Sequence, residues 1–353
     1  MSFDFIHETL PQRVVFARGD APGAVAAEVA AVGGTRAMLI HSGPSAEQVE
    51  AVAAQLPLAV RHDDVAMHVP IEVAERARAA ARTGDVDVLV SVGGGSATGL
   101  AKAVALRSGV PIVAVPTTYA GSEATNVWGM TDNGVKTTGT DRRVLPTSIV
   151  YDATLLQSLP ADLSVASGLN ALAHCVDSMW GPRADPIDRA LAEEGIRGLR
   201  AGMIGLVDGA GGLDAIEQTL YGAYLAAVSF ASAGSGMHHK ICHVLGGMYD
   251  LPHAQTHAVV LPHVLAFNAP GAPEAAARIS RAFGSQTAVA GLAALRRAVS
   301  APRALKDYGM PGEGIAAAVP PILAAIPTNN PKPVSTDDLT ALLRAAWEGD
   351  EPR

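Results

Sequence analysis

The sequence predicts a doubly wound α/β domain followed by an all-helical domain, and three observations carry that reading. From residue 1 to about 160, short apolar runs alternate with Ala-rich amphipathic segments, the pattern of a parallel sheet covered by helices. Beyond Leu159-Pro160-Ala-Asp162 the strand signals nearly vanish and long Ala- and Leu-rich segments take over. A chain of 353 residues also exceeds the roughly 250–300 at which one hydrophobic core stops growing, so two domains, 1–160 and 161–353, are expected.

In chain order, Gly23 to Gly33 has helical composition, and Arg36-Ala-Met-Leu-Ile-His41 is an apolar run of strand length that reads as buried. Ala46 to Gln55 and Val73 to Arg82 are helical in composition, and Val86-Asp-Val-Leu-Val-Ser-Val92 is a second buried strand. Pro111-Ile-Val-Ala-Val-Pro116, bounded by prolines, is a third, and Ser148-Ile-Val-Tyr151 adds another. Helices are then expected at 163–180, 186–208, 213–232, 236–248 and 272–300, with Glu348 to Arg353 a solvated tail.

Composition narrows the function classes. Apolar residues make up 49% and charged residues 17%, with few aromatics, which suits a helix-rich α/β protein. A formal charge of -8 gives no reason to bind nucleic acid or an anionic membrane. No apolar run approaches the roughly 18 residues of a membrane span, and the N-terminus carries acids where a signal peptide carries bases. A cytoplasmic protein is expected, with Cys175 and Cys242 as buried thiols.

Two loops suggest a nucleotide. Val92-Gly93-Gly94-Gly95-Ser96-Ala-Thr-Gly99 leaves a strand and opens a helix, where backbone amides without Cβ atoms can approach a phosphate and the helix dipole favours its charge. The run matches neither the dinucleotide fingerprint, since Thr98 replaces the last glycine, nor a Walker loop. Pro116-Thr-Thr-Tyr-Ala-Gly-Ser-Glu123 also leaves the end of a strand, the edge at which open α/β sheets bind ligands. Gly94, Gly95, Ser96, Thr117, Thr118 and Ser122 are therefore cofactor candidates. Ser42 joins them because it follows the strand Arg36 to His41, where an acidic residue would select NAD over NADP; a serine leaves NADH or NADPH open.

The second half is rich in histidine, with six of the eleven between 238 and 263. His239 and His243 are spaced i,i+4, as are Asn170 and His174, so each pair projects from one face of its helix. With His253 after the turn Asp250-Leu-Pro252, these residues can build a pocket between facing helices. His238 is rotated about 100° from His239 and is expected to face elsewhere. His257 is expected at the rim, and His263, after Pro262, at a helix start.

At this point the motifs resemble a known family. The spacing His239-x3-His243-x9-His253, the segment Leu245-Gly-Gly-Met-Tyr-Asp-Leu-Pro-His253, the pair ending at His174 and the two loops are together similar to the iron-containing alcohol dehydrogenase superfamily, from about residue 13 to beyond 268. The resemblance implies a Rossmann-like NAD(P)-binding domain, a helical domain of the dehydroquinate synthase type, an active site in the cleft between them, and a homodimer. In that superfamily the metal is held by an aspartate, the histidine four residues later, and two histidines corresponding here to His239 and His253. Asn170 stands at the aspartate position, so the one anionic donor is missing and no metal is expected.

The departure has its own match. Asn170 with His174, Thr98-Gly99, Val127-Trp-Gly129, Gly134-Val-Lys136 and Met67-His-Val-Pro70 resemble the maleylacetate reductase branch. That resemblance implies reduction of the double bond of a small dicarboxylate, maleylacetate, to 3-oxoadipate in the catabolism of hydroxyquinols, resorcinols and chlorocatechols. His243 and His253 are the candidate proton donors, with His174, His239 and Asn170 orienting substrate. Tyr119 and Arg142 are further substrate candidates, and Lys136 is placed by the wider superfamily near the cofactor. Three alternatives stay open: a metal-dependent alcohol or aldehyde dehydrogenase, a lyase of the dehydroquinate synthase type, and a non-catalytic nucleotide-binding sensor.

Overall fold

The structure, a computed structural model, describes residues 4–132, 135–209 and 211–352, except for the side chains of Val135 and Lys136. The chain divides into two compact units, one running from Leu10 to Leu159 and the other from Pro160 onward together with the residues ahead of Leu10. His7 belongs to the second unit, where its Nδ1 lies 2.8 Å from Asp185 Oδ2.

The first unit contains β1 (Arg13–Phe16), α1 (Ala21–Ala31), β2 (Ala37–Ser42), α2 (Ala46–Ala53), β3 (Leu58–His62), α3 (Ile71–Thr83), β4 (Val88–Gly93), α4 (Gly95–Ser108), β5 (Ile112–Pro116), β6 (Val127–Asp132), β7 (Val135–Thr140) and β8 (Ser148–Tyr151). Six strands form one parallel sheet in the order β1-β8-β5-β4-β2-β3, and β6 pairs antiparallel with β7. β2, β4 and β5 are buried apolar runs, which is why they were legible as strands. β1 and β3 are the sheet's edges, half exposed, with Arg13, Arg61 and His62 diluting their apolar pattern.

The order of strands reverses between β2 and β4, the place where open sheets bind ligands. Register brings the predicted loops together there, since Ser42 pairs with Gly93 and Gly93 with Pro116. Gly93 has φ 156°, and a Cβ on it would come within 2.5 Å of Ser42 O, so only glycine lets β4 end this close to β2. Lys102 on α4 fixes the neighbouring loop. Its buried Nζ donates to Ser122 O at 2.6 Å and to Thr125 O and Val127 O at 2.8 Å. Burial lowers its pKa to about 7, an effect that buried Glu123 opposes.

The second unit is helical: α5 (Ala161–Ser178), α6 (Pro186–Val207), α7 (Gly212–Ala233), α8 (Met237–Tyr249), α9 (His253–Asn268), α10 (Pro273–Phe283), α11 (Ala288–Ala298), α12 (Gly314–Ala325) and α13 (Thr336–Glu348). The segment expected as one helix at 272–300 is two. α10 ends at left-handed Gly284, and Thr287 caps α11 by accepting from Ala290 N. Ile241, Leu245, Leu251, Val260, Leu305, Ile315 and Leu343 share one buried core, each contributing about 1.5–3 kcal/mol by its burial. Among the described residues no helix is long and apolar enough to cross a membrane.

His263 does not start a helix. It sits in the middle of α9, which runs straight through Pro262. A proline there cannot donate to Ala258 O, four residues back. The Arg296 guanidinium takes that carbonyl instead through Nη1, and its Nη2 donates to Pro302 O at 2.7 Å. Arg296→Met, which keeps the apolar stem but leaves both carbonyls without this donor, is expected to lower unfolding stability by about 2–4 kcal/mol in urea denaturation; an unchanged midpoint would show that α9 does not need the guanidinium.

Candidate active site

α5 is buried along most of its length, so every polar group on it needs a partner or a purpose. Asn170, His174 and Asp177 lie at i, i+4 and i+7, one stripe of that helix. Asp177, the third member of that stripe, organises the start of α8. α8 has Gly236 as its N-cap, which brings no side chain to accept from the first amides. Asp177 Oδ2 supplies the cap from α5, accepting from Gly236 N at 3.0 Å and His239 N at 3.2 Å. The same oxygen lies 2.7 Å from His239 Nδ1. With Nδ1–H given to the carboxylate, His239 Nε2 carries the lone pair, and it has no hydrogen-bond partner.

The rings form a continuous row of contacts, some stacked and some tilted. His174 lies against Phe230 and His239, with centroids 4.7 and 4.9 Å apart, and His239 lies 4.7 Å from His257. His257 meets His253 at 4.3 Å, and His253 meets His243 at 6.5 Å. His238 does not face elsewhere: its Nε2 lies 2.9 Å from His257 Nδ1, because α9 packs on the face of α8 that His238 presents. Nor is His257 at the rim, since it is 0% exposed. His243 and His253 are the exposed members, at the middle of α8 and the start of α9. Asn170 is 1% exposed, and its Oδ1 has no hydrogen-bond partner.

Burial sets the charge states. It lowers His174 and His238 to about 3, and takes His239 and His257 well below the ordinary value, each with neighbouring histidines adding to the effect. Burial pushes Asp177 up, to about 7. At neutral pH the buried rings are therefore neutral, each able to donate one hydrogen bond and to accept another.

The cofactor candidates lie in the α/β unit as the register requires. Gly94 is the N-cap of α4 and offers no side-chain acceptor, so the first amides of the helix are open to a ligand. Gly95 is exposed and Ser96 follows it. Thr117 N donates to Gly93 O at 3.0 Å, placing Thr117 and Thr118 beside the glycines, with Ser122 on the loop that Lys102 holds. Tyr119 is buried in this unit and Arg142 is exposed on it. The side chain of Lys136 lies outside the described residues.

The model of the iron-containing alcohol dehydrogenases matches residues 11–153, and that of the family's C-terminal domain matches residues 164–347. The chain belongs to the iron-containing alcohol dehydrogenase family. Within it, the chain is 42% identical over 350 residues to a maleylacetate reductase of Sphingobium indicum, covering 99% of both chains. Among solved structures, it is similar to an iron-containing alcohol dehydrogenase of Corynebacterium glutamicum (55% identity, TM-score 0.97, 100% and 99% covered). It is also similar to a maleylacetate reductase of Rhizobium (39% identity, TM-score 0.93, 99% and 100% covered).

The family name carries iron, and the donors here do not fit it. Among the described residues, the ligand-type side chains of this cluster that come within reach of one ion are the imidazoles of His238, His239 and His257, with no acid among them. His238 Nε2 and His257 Nδ1 already share a proton. Asp177 Oδ2 is committed to the start of α8, and Asn170 brings a neutral oxygen where the resemblance places the aspartate. A ferrous ion here would keep its charge uncompensated in a buried pocket.

The pKa shifts predict acid sensitivity. Each buried histidine is neutral in the folded chain but protonates below about pH 6.5 once unfolded, so its contribution is present above that pH and is lost as pH falls. His41, His174, His238, His239, His257 and His263 act in this direction. Asp177, Asp188 and Glu123, raised by burial, act in the opposite one and are fewer. Stability in urea should therefore fall below about pH 6.5, by up to about 1.4 kcal/mol per pH unit for each proton taken up. A stability that rises on acidification would contradict this.

Proposed function

We propose that this protein reduces the carbon–carbon double bond of maleylacetate to give 3-oxoadipate, using NADH or NADPH and no metal ion, as a cytoplasmic homodimer. The observation that carries the reading is Asn170, buried at the histidine cluster with its amide oxygen unpartnered. The named reductases among the relatives support it.

The substrate is a dianion, and an aspartate at position 170 would repel it. An amide can turn its NH2 toward a carboxylate or its oxygen toward a donor. Gly94, Gly95 and Ser96 at the start of α4 would hold the dinucleotide phosphates, with Ser42, Thr117, Thr118 and Ser122 around them. When bound, the reduced nicotinamide supplies a hydride to the alkene carbon beta to the ketone. The charge that develops on the ketone oxygen is delocalised as an enolate, and it is stabilised by neutral N–H groups of the buried histidines other than His239, whose own N–H is held by Asp177. An isolated carbonyl would need stronger polarisation, which is why this reaction can dispense with a metal.

Protonation of the alpha carbon completes the reduction. His243 and His253 suit that task because they are the cluster's exposed rings and can recover a proton from water. His174, His239 and Asn170 orient the substrate. Asp177 acts through His239, holding its tautomer.

A second reading, metal-dependent alcohol oxidation, is favoured by the name of the Corynebacterium neighbour. One assay separates the two. Purified protein with maleylacetate should oxidise NADH or NADPH equally with and without chelator; no maleylacetate-dependent oxidation under either condition would sink the proposal. Asn170→Asp should lower maleylacetate turnover at least about tenfold while raising affinity for a divalent metal. Asp177→Asn should lower kcat about 10- to 100-fold with a smaller change in KM; an unchanged kcat would remove Asp177 from the mechanism.

A further inference from the structure

The helical unit holds a second group of ligand-type side chains, His7, Asp185 and Asp188, whose ligand atoms all lie within 4.8 Å of one another. It arises from the way α6 begins. Asp185 Oδ1 accepts from Ile187 N at 2.7 Å and Asp188 N at 2.9 Å, and Asp188 Oδ2 faces Asp185 N at 3.3 Å. This reciprocal cap uses one oxygen of each carboxylate.

The two remaining oxygens turn toward the same imidazole. His7 Nδ1 lies 2.8 Å from Asp185 Oδ2 and 3.6 Å from Asp188 Oδ1, and Ser232 Oγ is 3.4 Å from that nitrogen. Asp188 is 0% exposed, and its Oδ1 has no hydrogen-bond partner. One imidazole proton cannot satisfy both carboxylates. Even a protonated His7 leaves the group one positive charge short, in a place where an unpaired carboxylate is costly. A divalent cation would supply both the missing charge and the partner that Asp188 Oδ1 lacks.

We propose that His7, Asp185 and Asp188 form a divalent-cation site, separate from the histidine cluster, that fastens the segment ahead of Leu10 to the start of α6. Two carboxylates, one imidazole and a nearby hydroxyl make an oxygen-rich set suited to Mn²⁺, with water completing the shell. His7 binds through Nδ1 as the neutral ring, giving up the proton it otherwise shares with Asp185.

The test uses untagged full-length protein, stripped with chelator, returned to metal-free buffer and titrated with MnCl2 while free Mn²⁺ is followed by electron paramagnetic resonance. One Mn²⁺ per chain is expected. Asp188→Asn and His7→Gln should each weaken it more than about 100-fold, beyond the roughly 10- to 100-fold loss typical of outer-sphere changes. His239→Ala should bind as wild type does, which separates this site from the catalytic cluster. Mn²⁺ should also raise the thermal midpoint of wild type but not of His7→Gln, a change outside the helical core that keeps the test decisive if Asp188→Asn folds poorly. The proposal is overturned if wild type takes up no Mn²⁺, if both variants bind as wild type does, or if His239→Ala abolishes the binding.

Discussion

One oxygen of Asp177 holds the start of α8, and the chemistry of the helical unit depends on it. Gly236 cannot cap the helix with a side chain, and a Cβ there would come within 2.7 Å of Asp177 Oδ1. Glycine makes room for a carboxylate brought from α5, and that carboxylate then accepts from two backbone amides and faces the His239 ring. The helix cap and the contact with the imidazole share one atom. Without it the amides would be unsatisfied in a buried place, and nothing would choose which nitrogen of His239 carries its proton.

The buried rings that follow from this arrangement are neutral, and that explains how so many can pack against one another. Charged imidazoles at centroid separations of 4.7 to 4.9 Å would repel one another strongly in a dry interior. Desolvation removes the charge before repulsion has to be met. What remains is a row of donors and acceptors whose polarity is set by Asp177 at one side and by water at His243 and His253 at the other.

Much of this was legible in the sequence because local pattern and final structure agree. The buried runs of β2, β4 and β5 can be read without neighbours, and so can the glycine turn that α4 inherits from Gly93. Asn170, His174, His239 and His243 were visible from helical spacing, and His253 from its place after the turn Asp250-Leu-Pro252. His238 and His257 were not, because their meeting depends on how α9 returns against α8, a tertiary fact that helical rotation alone cannot supply. Asp177 could have been found, since it lies three residues beyond His174 on the same face. α9 was missed because Pro262 looks like a helix start, and only Arg296, far along the chain, allows the helix to pass through it.

The stripe on α5 also bears on how such a pocket can change over evolutionary time. Asparagine and aspartate have nearly the same shape, and their codons differ at a single base. Position 170 is buried and its oxygen is unengaged, so the exchange breaks no hydrogen bond of that oxygen. A lineage can therefore move between a neutral and an anionic pocket in one mutational step, with the helices, the stacked rings and the Asp177 cap already in place on either side of it.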